Sequence, residues 1–142
     1  MTYIKVSLRR LVIARAGGCC EYCLLGQEDN FLPFAIDHIR PEKHGGPTEE
    51  QNLCLSCYDC NSYKSSDVGS FDPLTDEFTF FYNPRKHAWS EHFRVANGVI
   101  ELLTAEARVT VLIFRINLPE HVDERLGLIK IGRYPCQKNQ QF

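Results

Sequence analysis

The stretch "IDHIRPEKHGGPTEEQNLCLSCYDCNSYK", Ile36 to Lys64 of a 142-residue chain, is where the sequence commits itself. "FLPFAIDHI", which leads into it, mixes aromatic and β-branched residues and reads as a strand. "RPEKHGGPTEEQ" is a loop, punctuated by Pro41, Gly45, Gly46 and Pro47. "NLCLSC" is a second short strand, and "YDCNSYK" has the length of two helical turns. Asp37 and His38 fall at the end of the first strand, Asn52 just before the second, and Asn61 and Lys64 one turn apart on one helix face.

The cysteines frame this stretch. Cys20-x-x-Cys23 and Cys57-x-x-Cys60 form two pairs in which a tight turn can present both sulfurs to one ion. Two such turns complete a tetrahedron, and a closed tetrahedron is structural because it leaves no position for substrate. Cys19 and Cys54 offer competing assignments, since Cys54-x-x-Cys57 has the same spacing. Cys54 lies in the strand pattern and is expected to point into the core, and Cys20 is preferred to Cys19 on spacing alone. Cys136 stands apart and is expected to be a bystander. Buried free thiols or a redox dithiol are the competing readings, but two matched pairs are far more specific than one.

Outward from this centre, Ser7 can cap a first helix that carries Leu8, Leu11, Val12 and Arg15 and ends at Gly17–Gly18. Arg9 and Arg10 lie off its apolar face, as a solvated surface or as phosphate contacts. Downstream, "DEFTFFY" and "FRVANGVIELL" read as strands, the latter a hairpin turning at Asn97–Gly98. Thr104 can cap a helix over "AEARVTVLIFRI", apolar on most sides and therefore buried. Pro119 can open a last helix that includes His121 to Ile129, and the polar tail after Pro135 is expected to fray. "NPRKHAW" and "EHF" set Arg85, Lys86, His87 and His92 around Trp89, a basic and aromatic mix that packs a helix or grips nucleic acid.

A chain of this length suits a single domain with a modest core, given its 44% hydrophobic residues. No apolar run approaches the ~20 residues of a membrane span. Arg9, Arg10 and Arg15 interrupt the N-terminal apolar residues, so a signal peptide is not expected and a cytoplasmic, reducing location follows. The net charge of −2 hides an uneven distribution, because Lys5, Arg9, Arg10 and Arg15 all precede the first acidic residue, Glu21. A basic face for nucleic acid is therefore compatible with the composition.

Asp-His, a Gly-Gly loop, Asn-Leu and then Cys-x-x-Cys-Asn followed by Lys is a pattern that resembles the HNH endonuclease family, from Cys20 to about Ser65. The resemblance implies an α+β fold: a ββα-metal (His-Me finger, treble-clef-like) core over about 17–66, with an N-terminal helix over about 7–17. A C-terminal strand-plus-helix extension over about 70–135 completes the single domain. It further implies metal-dependent hydrolysis of phosphodiester bonds in DNA, leaving 5′-phosphate and 3′-hydroxyl ends. Cys20, Cys23, Cys57 and Cys60 would hold structural Zn²⁺. Asp37 and Asn61 would offer oxygen ligands to a catalytic Mg²⁺ or Mn²⁺. His38 would be the general base, as imidazoles with a pKa near ~6.5 are suited to be. Asn52 would brace the loop, and Lys64 would contact phosphate or developing charge. Asn61 stands where many members carry the last His of the family name. The alternatives are a non-catalytic zinc module that binds nucleic acid or protein, and a thiol-based sensor using Cys19, Cys54 and Cys136. A double-strand break would call for a homodimer or protein partner, for which the apolar C-terminal helix is the candidate surface.

Overall fold

The structure is a computed structural model and describes residues 3–138. It is a mixed α/β arrangement of helices and three small two-stranded antiparallel sheets, built around buried cysteines. α1 (Val6–Ala16) ends at Gly17, whose φ of 64° is the left-handed cap conformation that glycine adopts without strain. Its start differs from expectation. Lys5 occupies the N-cap position with no side-chain cap, and Ser7 lies inside the helix. Buried Ile4 anchors the entry instead, so apolar packing rather than a hydroxyl fixes the first turn.

β1 (Ala35–His38) and β2 (Leu53–Ser56) pair with Asp37 opposite Cys54 and His38 opposite Leu53. α2 (Tyr58–Lys64) follows at once, capped by the Cys57 sulfur accepting from the Cys60 amide. The order strand, loop, strand, helix is the one read from the sequence. α1 lies on β2, and Val12, Ala16, Leu53 and Leu55 form a small core between them. Arg15 reinforces this contact, its guanidinium donating to the carbonyls of Glu50 and Leu53 at 3.0 and 2.7 Å.

The second half packs onto the first. β3 (Gly69–Phe71) pairs with β4 (Phe78–Phe80), a shorter strand than "DEFTFFY" suggests. The β3 partner has no readable period at three residues. The one-turn α3 (Trp89–His92) leads into β5 (Phe93–Ala96) and β6 (Val99–Leu102), joined through Asn97 and Gly98, both at positive φ. α4 (Ala105–Phe114) is capped by Thr104, whose hydroxyl accepts from the Ala107 amide. It ends before Arg115 rather than at Ile116. α4 packs against α2, β3, β4 and β6, so the chain itself covers the helix expected as a partner surface. Phe114, at its end, meets the rings of Tyr22 and Phe81 edge-on at 4.9 and 5.0 Å, joining both halves in one core. α5 (Pro119–Lys130) opens with Pro119 as expected.

Cys136 corrects the sequence reading, because it forms a disulfide with Cys19. Backbone and ring contacts bring it there: the Cys136 amide donates to the Leu24 carbonyl at 2.9 Å, and the Tyr134 hydroxyl donates to the Cys23 carbonyl at 2.7 Å. Cys136 is thus pinned beside the first cysteine pair rather than frayed as expected, and residues 139–142 lie outside the described residues. Among the described residues no helix is long and apolar enough to cross a membrane.

Candidate metal centre and hydrolytic groove

The sulfurs of Cys20, Cys23, Cys57 and Cys60 all lie within 4.8 Å of one another, and all four residues are buried. The Cys23–Cys57 sulfur separation is 3.7 Å, close to the ~3.8 Å edge of a tetrahedron with ~2.3 Å zinc–sulfur bonds. Crowded together, the thiols divide their protons unequally. Burial alone would raise Cys20, but hydrogen bonds from Cys23, Cys57 and Cys60 hold it well below the usual thiol value. Those same bonds to Cys20 push Cys23 and Cys60 well above it. The donor set fits a soft divalent cation such as zinc, which lets every thiol ionise at once. Cys54 faces elsewhere, with its sulfur 3.5 Å from the Tyr22 hydroxyl and 3.6 Å from Asp37 Oδ2.

The loop between β1 and β2 is tied by Asn52. Its Oδ1 accepts from the Arg40 amide, and its Nδ2 donates to the carbonyls of Arg40 and Pro47, each at 2.9 Å. The Asn52 carbonyl accepts from the Ile39 amide at 2.8 Å, next to His38. Gly46 is required here, since a Cβ would lie 1.6 Å from the Arg40 carbonyl oxygen. Asn52 thus makes three side-chain hydrogen bonds across the loop.

Asp37, His38 and Asn61 line one groove of about 550 Å³, together with Arg9, Lys43 and Ser66. Pleating sends neighbouring strand residues to opposite faces. Asp37 accordingly faces inward, where its Oδ2 accepts from the Tyr22 hydroxyl at 3.0 Å and its Oδ1 lies 3.2 Å from Lys64 Nζ. Burial pushes the Asp37 carboxyl above its ordinary value, and the Lys64 ammonium is the principal force opposing that. His38 is half-buried and its Nε2 lies 2.9 Å from the Thr48 hydroxyl. Lys64 differs from the expectation of a phosphate contact: it is 1% exposed and its ammonium also donates to the His38 carbonyl at 2.9 Å.

Sequence reasoning missed two partners. Tyr22 sits between two zinc-spaced cysteines with nothing to mark it as a carboxylate donor. Thr48 sits ten residues from His38 in a loop rich in polar residues. Only the fold brings either to its partner.

Residues 20–67 match the family model described as HNH endonuclease, which covers the cysteine pairs, the Asp-His strand and the Asn61 helix. The resemblance read from the sequence is thereby upheld over that third of the chain, and the match suggests a nuclease-type function in general. No curated protein and no solved structure matches the chain.

Proposed function

We propose that the chain is a zinc-stapled, metal-dependent endonuclease that hydrolyses phosphodiester bonds in DNA. The observation that carries this reading is that Asp37, His38 and Asn61 all line one groove, with Asn61 directly following Cys60 of the four-cysteine cluster. The cluster joins the turn before β1 to the start of α2, so it sets the strand bearing Asp37 and His38 against the helix bearing Asn61.

Asp37 and Asn61 supply a carboxylate and an amide oxygen, the donor chemistry of a hard cation that keeps several waters. Asp37 Oδ1 retains lone-pair capacity beyond its contact with Lys64. Bound there, Mg²⁺ or Mn²⁺ would polarise the phosphate and neutralise charge on the leaving oxygen. His38 takes the proton from the attacking water. Thr48 can accept the Nε2 proton, which leaves the Nδ1 lone pair as the base. Asn52 holds the loop so that His38 stays in register. Lys64 acts as a positioning residue, through Asp37 and the His38 carbonyl.

One observation favours a second reading. Both oxygens of Asp37 already have internal partners, as they would in a zinc module that binds nucleic acid without cutting it. Conversion of supercoiled plasmid to nicked circle by zinc-loaded protein separates the two. The nuclease requires added Mg²⁺ or Mn²⁺ and leaves nicks that DNA ligase reseals. The binding module gives no conversion with any divalent metal.

A further inference from the structure

Ile39 and Arg40, which follow His38 along the chain, line a second groove of about 680 Å³, whereas His38 and Pro41 line the groove of about 550 Å³. The volume of this second groove falls in the ~300–1,000 Å³ range of ligand sites. Arg40, Lys86, His87, Phe80 and Tyr82 are among its walls. Among the described residues neither Arg40 nor Lys86 takes part in an ion pair, and Glu106 is the one acidic side chain at the groove.

Phe80 belongs both to this groove and to an exposed row of aromatic rings. Phe71, Phe78 and Phe80 are 62%, 52% and 67% exposed, and all stand on one face of the β3–β4 hairpin. Their rings follow one another edge-on at 5.7 Å steps. Ser70 and Thr79 take the opposite face, and the hairpin packs against α4. Among the described residues these three rings stay largely exposed rather than buried in a core. Three adjacent exposed rings on so small a sheet signal a binding surface. Asp76 and Glu77, in the turn, mark its outer end.

An unpaired nucleic-acid strand matches this arrangement. Aromatic faces stack on any base, and cations without an acidic partner suit phosphates, even though Arg40 also donates to the Gly45 carbonyl at 3.2 Å. In a duplex the base faces are already stacked on each other, so protruding rings have nothing to meet. We propose that the β3–β4 hairpin and its groove hold an unpaired stretch of the substrate strand, bases on Phe80, Phe78 and Phe71 and phosphates near Arg40 and Lys86. The inference rests on the nuclease reading and gives it a substrate class: a strand with unpaired bases, held in a groove whose wall residues Ile39 and Arg40 directly follow His38.

The test uses full-length, zinc-loaded His38→Ala protein without added divalent metal, so that binding is read apart from cleavage. Fluorescence anisotropy compares a single-stranded oligonucleotide with its duplex. Phe78→Ala and Phe80→Ala should each weaken single-strand binding by about fivefold or more, with duplex binding changed by less than about twofold. Phe80→Trp should restore binding and Phe80→Leu should not, because a ring rather than apolar area is needed. Lys86→Ala should flatten the salt dependence by about one phosphate contact, a slope change near ~0.7. Unchanged single-strand binding in both Phe variants overturns the inference, as does an equal loss on duplex. So does a wild-type dimer in sedimentation that Phe78→Ala dissociates, which would assign the surface to a second copy. Plasmid cleavage by the wild-type protein, with normal binding by the Phe variants, removes this inference alone. Absence of both cleavage and binding removes the nuclease reading with it.

Discussion

Replacing Asn52 distinguishes a brace from a substrate contact, because two substitutions make opposite demands on the same three hydrogen bonds. Asn52→Ala removes all three, leaving the Arg40 amide and the carbonyls of Arg40 and Pro47 without their partner. Each is worth about 0.5–1.5 kcal/mol net, and water reaches this half-buried loop, so the expected loss is about 1.5–3 kcal/mol. Asn52→Asp is isosteric and keeps the acceptor for the Arg40 amide. It loses both donations, however, and sets a carboxylate against two carbonyl oxygens. Its cost should therefore equal or exceed that of Ala. Urea unfolding of zinc-loaded protein, with an unchanged m-value, measures both. Cleavage at a temperature where both variants are folded should fall about a hundredfold, as expected when a reacting group is displaced. If Asp is milder than Ala, or both fall within about 0.5 kcal/mol of wild type, the bracing argument is wrong. An inactive variant with unchanged stability would place Asn52 on the substrate instead.

Further outcomes follow from other parts of the chain. Lys64→Met leaves the buried Asp37 carboxylate without its cation, so stability should drop by about 3–5 kcal/mol, and Lys64→Met with Asp37→Asn should recover much of it; a drop below about 1 kcal/mol would refute the pair. Metal analysis should find zinc in the wild type and none in Cys20→Ser or Cys60→Ser, whereas Cys54→Ser should keep it, since its sulfur faces Tyr22 and Asp37. Cys136→Ser should lower the stability of the oxidised protein by about 2–4 kcal/mol, the usual worth of a disulfide, here one closing a loop with a sequence separation of 117; identical unfolding of the two under non-reducing conditions would contradict it. Arg108 grips Asp72 through two 2.8 Å bonds and holds its carboxyl well below the usual value. A depressed folded pKa gives stability that is present above the unfolded value of about 3.9 and is lost as pH falls through the folded value. The stability gap between wild type and Asp72→Asn should thus be full at neutral pH and shrink below about pH 4; a gap that widens on acidification would be inconsistent with the pair.

The centre of the molecule was legible because its chemistry is local. The two knuckles are spaced by turn geometry, the Gly-Gly loop by backbone approach at Gly46, and β1, β2 and α2 by patterns a few residues long. Thr104 and Pro119 announced their helices in the same way. What escaped were contacts made by distant segments. Cys136 looked isolated because its partner, Cys19, lies at the far end of the chain and was itself read only as a competitor of Cys20. Lys64 looked like a surface cation because helical spacing cannot show that its face turns toward Asp37. Ser7 misplaced the first cap because buried Ile4, not hydrogen bonding, fixes that end. The aromatic row is hidden in the sequence because "GSF" is too short to show a strand, and only pairing with Phe78–Phe80 puts its ring on their face.

Plasmid cleavage by zinc-loaded wild-type and His38→Ala proteins, side by side over a Mg²⁺ and Mn²⁺ titration, tests the central claim most directly. Both proteins must first show the same zinc content and unfolding midpoint. The account predicts conversion of supercoiled DNA that depends on the added metal and is lost in the variant by a factor of about 100 or more, the range of a general base. Equal cleavage by the two, or none by folded wild-type protein under any divalent metal, would contradict it.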